Sequence, residues 1–243
     1  MFYVNLPLSL LSLFMVIVKM PALPHQRSGA VDVLGAALLI AAFVPLLLVL
    51  SLGGHSFAWR APQSLGLFAL AAVALTLFIY VENRVSNPIL PPHLFKNRTF
   101  STANLAGFLI SMAFMGVVMF LPLYLQLGMG VTATTSGLTM LPLMGGLIVG
   151  STLAGQLVSK TGQYRPLMLV GASLLLVGVS LLAFFLGQVG LPVLCLMLLV
   201  VGLGLGPGQS LFNIATQNAV EPRDIGVATS SNQFFRQIGS TVG

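Results

Sequence analysis

Three amide side chains, Gln209, Asn213 and Gln217, recur at i, i+4 and i+8 in an otherwise apolar stretch. In an α-helix that spacing puts them on one face. A polar stripe of this kind avoids lipid, so it either lines a watery cavity or bonds to neighbouring helices. A second helical face carries Phe108, Met112, Met115 and Met119. Thioethers and rings form a flexible, polarizable surface of the kind promiscuous binders use, and the same residues also serve in plain packing or lipid contact. If these faces line a cavity, Phe108, Met112, Gln209, Asn213 and Gln217 are the candidates for its substrate-facing wall, with Gln126 from the same span as Phe108 added to them. Arg236 stands about three turns into the last apolar stretch, with Asn232, Gln233 and Gln237 beside it. Because a guanidinium stays charged, three roles are open to it: pairing with an acid such as Asp224, receiving an anionic group, or snorkelling to a nearby surface.

The remaining reactive groups are sparse. There is no nucleophile beside a base and no phosphate-binding loop, and the acids Asp32, Glu82, Glu221 and Asp224 are scattered. No catalytic residue is assigned, and the chain is read as something other than an enzyme. Asp32 opens a helix, where capping accounts for it. Glu82, Glu221 and Asp224 fall at helix ends or in connections, so no proton carrier stands in the middle of a span. His25, His55 and His93 have no ligand spacing, and Cys195 is the only cysteine, so neither a metal site nor an internal disulfide is expected.

These groups must be positioned by elements built for lipid. The chain is 57% hydrophobic and 6% charged, with a mean hydropathy of +1.02, whereas a water-soluble domain is about a quarter charged. The net charge of +6 is scattered between apolar runs. That pattern argues against nucleic acid and for the lipid bilayer as partner. About seven apolar runs long enough to span a bilayer are visible, plus an eighth that is cut off. They read as Phe2–Val18, Val31–Leu52, Ser64–Val81, Thr102–Leu127, Thr135–Val158, Pro166–Leu186 and Leu191–Thr216, then Ile225 onward. Runs of this length suit helices and are too long for barrel strands, which predicts an all-α, polytopic helical membrane protein. Phe2–Val18 has no basic segment before it and no small-residue cleavage pattern after it, so it is read as a membrane helix cut at its start.

Basic residues alternate along the connections. Lys19 and Arg27 follow the first span, Arg84, Lys96 and Arg98 the third, Lys160 and Arg165 the fifth, and Arg223 the seventh. The second connection holds Arg60 alone, and the fourth and sixth hold no charge. The positive-inside rule places the odd-numbered connections in the cytoplasm. The connections 19–30 and 82–100 are the longest, and Pro88, Pro91 and Pro92 prevent a continuous helix in the latter. Residues 82–100 are taken as the boundary between the leading helices and the bundle that follows. Gly146, Gly150 and Ala154, and again Gly202 and Gly206, repeat every four positions, a spacing that lets helices approach closely.

Three motifs carry a resemblance: Phe-Tyr-Val-Asn-Leu-Pro-Leu at Phe2–Leu8, Leu-Phe-Lys-Asn-Arg-Thr-Phe at Leu94–Phe100, and Phe-Leu-Pro-Leu-Tyr-Leu-Gln at Phe120–Gln126. With Ser136-Gly137, Leu141-Pro142 and the run from Gln217 to Gly239, they resemble the fourteen-helix drug:proton antiporters of the major facilitator superfamily, the EmrB/QacA type. The resemblance implies a fragment running from the sixth to the thirteenth helix. Residues 1–81 would be the last helix of the N-terminal bundle and two inserted helices, 82–100 a cytoplasmic connection, and 101–243 an incomplete C-terminal bundle. Gly155, Lys160, Gly162 and Arg165 are similar to the superfamily's cytoplasmic signature turn, with Ser159 where aspartate is often found.

The function so implied is export of drugs or other amphipathic, often cationic, small molecules by proton antiport across a bacterial inner membrane. It needs no cofactor beyond a proton gradient. It also needs the missing N-terminal bundle as partner, so the fragment alone would be inactive. The rival reading is a non-transporting membrane scaffold, or a half-transporter that assembles with a separate chain.

Overall fold

The computed structural model describes residues 5–19, 32–54, 57–85 and 88–243. His25, Arg27, His55 and nearly all of the connection 19–30 lie outside the described residues. The helices are α1 (Asn5–Lys19), α2 (Val33–Leu52), α3 (Pro62–Glu82), α4 (Arg98–Leu127), α5 (Ala133–Thr139), α6 (Leu141–Thr161), α7 (Arg165–Phe185), α8 (Leu191–Asn218) and α9 (Ile225–Val242). Two short 3-10 turns, Pro92–Lys96 and Pro222–Asp224, precede α4 and α9. Among the described residues there is no strand, as lipid requires of a chain that does not close into a barrel.

Six described helical segments are long and apolar enough to cross a membrane, with α5 and α6 together making one of them. The difference from the spans read in sequence lies at the two ends. The helix α1 has 15 residues. The helix α9 carries Thr229, Ser230, Ser231, Asn232, Gln233, Arg236 and Gln237 within 18 residues, and that polar load takes it out of the apolar set. The break between α5 and α6 follows from Pro142, which has no N–H to bond back to the preceding turn.

Contacts divide the chain into two units, residues 1–31 and 32–243. In the first, α1 presents Leu10, Phe14 and Ile17 outward. The second is organised around α8, half of whose span is buried, against 17–28% for the other spans. It packs on α6, α7, α4 and α9, while α2 and α3 pair with each other.

Glycine makes the α6–α8 contact possible. A Cβ on Gly150 would stand 2.7 Å from the Leu203 carbonyl oxygen, and one on Gly206 would stand 2.6 Å from the Gly150 carbonyl carbon. That carbonyl of Leu203 has no helical donor, because the residue four positions on is Pro207. It lies instead against Gly150, a Cα–H···O geometry that two side-chain-free surfaces allow. The helix α7 meets α8 in the same way, with Gly178 against Val201 and Gly171 against Pro207.

The connection 82–100 is packed from Leu94 onward. Leu94 joins Phe100 and Ala228 in a small core, and Phe95 lies edge-on to Phe100 and Phe235. Asn97 caps α4 through Thr99 and Phe100 and donates its own Nδ2–H to the Ala219 carbonyl at 2.7 Å. The start of α4 is thereby fastened to the end of α8.

Candidate functional site

Polar groups converge where α8 and α9 meet α4. Gln217 donates through Nε2 to Thr229 Oγ1 at 3.0 Å and to Asn213 Oδ1 at 3.4 Å. One helical pair further along, Arg236 donates through Nη2 to Gln209 Oε1, and through Nη1 to the Gln209 carbonyl oxygen at 3.4 Å. All three amides of the α8 stripe are half-buried. Of the two roles open to that stripe, Gln217 and Gln209 exercise the bonding one, since each ties α8 to α9.

Arg236 is half-buried and lies about 16 Å along α9 from its first residue. Its guanidinium turns sideways to Gln209 and does not reach along the helix for the surface. Asp224 is some three turns away and faces other groups, His93 Nε2 at 3.5 Å and Arg223 Nε at 3.8 Å. The pairing of Asp224 with Arg236 considered from sequence is thus absent from the structure. The two residues sit at different depths, and a local histidine and arginine are nearer to the acid. Among the described residues, no ion pair includes Arg236. Its charge is therefore solvated by a neutral amide.

Beside this pair lies a fully buried one. Asn232 donates through Nδ2 to Asn104 Oδ1 at 3.3 Å, and Asn104 donates to the Phe100 carbonyl at 2.9 Å. Among the described residues Asn232 Oδ1 has no partner. Gly107 makes room for both α9 side chains, because a Cβ there would lie 3.3 Å from Arg236 Cγ and 3.6 Å from Asn232 Nδ2. Asn104 and Thr229 did not enter the sequence reading. Asn104 was findable, since it stands one helical turn before Phe108 and a lone amide inside an apolar span is costly unless bonded.

The α4 candidates separate. Phe108 and Met112 form the seat for the end of α9: a Cβ on Gly239 would meet Phe108 Cα at 3.1 Å, and one on Gly243 would meet Met112 Cα at 2.8 Å. Phe108 is half-buried and Met112 is 39% exposed. Met119 is 65% exposed. Gln126 is exposed near the far end of α4, about 21 Å from Met112 along the helix, and is not brought to the others.

The model of the Major Facilitator Superfamily matches residues 1–243. The chain belongs to that superfamily. It is 38% identical over its whole length to the multidrug transporter protein MdtP of Bacillus subtilis, of which it covers 44%. It is 34% identical to multidrug resistance protein 3 of the same organism, covering 47% of it. A tetracycline resistance determinant of Streptomyces rimosus is 35% identical over 87% of the chain and 61% of that protein. The chain thus spans about half the length of the curated relatives it matches. It is an integral, multi-pass helical membrane protein.

In this superfamily member the signature-like turn joins α6 to α7. Gly162 adopts φ +68°, a left-handed cap that ends α6, with its N–H on the Val158 carbonyl at 2.8 Å. Lys160 and Arg165 flank it, both exposed, and Gly155 has open space where a Cβ would go. Ser159 turns back to the Gln156 carbonyl at 2.9 Å and so bonds within its own helix. Next to this turn a cleft of about 940 Å³ opens between α4, α7 and α8, lined by Arg98, Tyr164, Arg165, Met168 and Phe212. Sequence reasoning missed it, because Arg98 and Arg165 belong to different connections.

Proposed function

We propose that the full-length protein containing this chain exports amphipathic small molecules in exchange for protons, with α4, α8 and α9 forming part of one cavity wall. The observation that carries this reading is Arg236, a half-buried cation set among amides inside the bundle and bonded to Gln209. Such a residue is costly to keep in lipid and characteristically marks a substrate or ion path. The relatives named as multidrug and tetracycline resistance proteins support drugs as the substrate class. The driving force is the proton gradient, no cofactor takes part, and no step of bond-making chemistry is assigned.

In this reading residues 1–81 supply the last helix of a first bundle and two inserted helices, residues 82–100 a cytoplasmic connection, and residues 101–243 part of a second bundle. Rocking between two bundles needs both, so this chain alone in vesicles does not transport. The membrane is the bacterial inner membrane, with Lys160, Arg165 and Arg223 at its cytoplasmic face. A cysteine at Lys160 is expected to react with a membrane-impermeant maleimide only after the cells are opened; labelling of intact cells would reverse the topology.

The wall itself is tested by export assays of the full-length protein. Asn213→Ala removes one hydrogen bond of the stripe and Gln217→Ala removes two, at about 1 kcal/mol or about fivefold in export for each bond. Unchanged export and an unchanged substrate range would remove both residues from the site.

A further inference from the structure

The antiparallel pairing of α2 with α3 sets the first residue of one helix against the last residue of the other. Asp32 caps α2, its Oδ1 accepting the Gly35 N–H at 2.8 Å. Glu82 ends α3, and its Oε1 accepts the Leu90 N–H from the connection beyond. Each carboxylate therefore has one oxygen engaged. The other two, Asp32 Oδ2 and Glu82 Oε2, are buried and have no partner among the described residues, and Glu82 is only 3% exposed. Both oxygens converge over Gly35: a Cβ there would touch Asp32 Oδ2 and would stand 3.2 Å from Glu82 Oε2.

Among the described residues the surroundings offer no counter-charge. The helices α2 and α3 contain no other ionisable side chain apart from Tyr80, whose ring carries the Arg84 guanidinium at 4.3 Å, on the exposed side. The helix α9, which reaches α2 through Phe234 on Phe43, contributes only Arg236, already bonded to Gln209. In the following 3-10 turn His93 faces Asp224, and Lys96 is exposed. Two facing carboxylate oxygens in a buried site repel when both are charged, and a buried acceptor without a donor is costly.

We propose that Asp32 and Glu82 hold one proton between them, making the base of the α2–α3 pair a protonation site separate from the network of α4, α8 and α9. One proton supplies the O–H···O bond that satisfies both free oxygens at once. The pair binds and releases its proton as a unit. Its charge is thereby coupled to the pH at the end of the bundle that carries Arg84, Lys96 and Arg98.

Infrared spectroscopy of the purified chain in lipid nanodiscs tests this. Four acidic side chains are present in all, and the other two are the exposed Glu221 and the ion-paired Asp224. The expected result is a carbonyl-stretch band of one protonated carboxyl group at neutral pH, lost in both Glu82→Gln and Asp32→Asn. The glutamine keeps an acceptor for the Leu90 N–H and the asparagine keeps one for the Gly35 N–H, so each variant retains its local backbone bond. Absence of the band from the unsubstituted chain, or its survival in either variant, overturns the proposal.

Discussion

Gly206→Leu is expected to separate α6 from α8 and to cost the bundle about 3 kcal/mol or more. At this position the obstacle to a side chain is backbone: a Cβ would strike the Ser151 amide nitrogen and lie 2.7 Å from Gly150 Cα. Side chains can change rotamer to admit a larger neighbour, but a helix backbone can only be displaced. Gly150→Leu is expected to act alike from the facing side, against the Leu203 carbonyl. The control lies one residue from another close contact. Gly146 would place its Cβ 2.6 Å from the Leu199 carbonyl oxygen, whereas Gly145 has nothing within 4 Å. Gly145→Leu should therefore melt like the unsubstituted chain while Gly146→Leu should not. Thermal unfolding in detergent, followed by circular dichroism, reads the difference; equal melting of the two variants would mean that the glycines do not set the helix spacing.

That contact was legible in sequence because its cause is local. Gly146, Gly150, Gly202 and Gly206 repeat at four-residue intervals in two apolar runs, and a four-residue repeat of small residues defines a flat strip on a helix whatever its partner. The spans from α2 to α8 were legible for the same reason, since length and apolarity are properties of each run alone. What was not legible depends on which helix faces which. Gln209, Asn213 and Gln217 could be placed on one face of α8, but that the face turns to α9, and that Gln209 is the partner of Arg236, is fixed by contacts between segments 27 residues apart. Asn104 and Asn232 are 128 residues apart. Glu82 is the plainest case: in sequence it stands at a helix end where a proline-rich polar connection opens, yet in the structure it is buried, because α2 and α3 pair and bring Gly35 and Asp32 over it. No periodicity carries that information. The same holds for the cleft beside Arg98 and Arg165, which exists only once α4 and α7 stand on either side of α8.

Gln209→Glu is expected to leave the bundle as stable as before and to change what the full-length protein exports. Glutamate is nearly isosteric with glutamine and keeps the oxygen that accepts from Arg236 Nη2, so the helix contact survives. The new carboxylate forms a charge-assisted pair with the guanidinium. The difference is in net charge. With glutamine the site has an uncompensated positive charge, which attracts substrates bearing carboxylate, phenolate or carbonyl oxygens and repels cations. With glutamate the charge is cancelled and the donors are occupied, so a substrate oxygen must compete with a covalently tethered anion. Loss of one charge-assisted bond to substrate corresponds to about 2 kcal/mol, or upwards of tenfold in export of acidic or neutral compounds. Cationic compounds, relieved of repulsion, should be exported as well as before or better. Arg236→Gln removes the charge from the other partner and should shift the preference in the same direction. Agreement between the two substitutions separates an electrostatic role from a packing role, because they alter different helices and have only the charge of the site in common. If both variants export acidic and cationic compounds in the original ratio, Arg236 serves only to join α9 to α8.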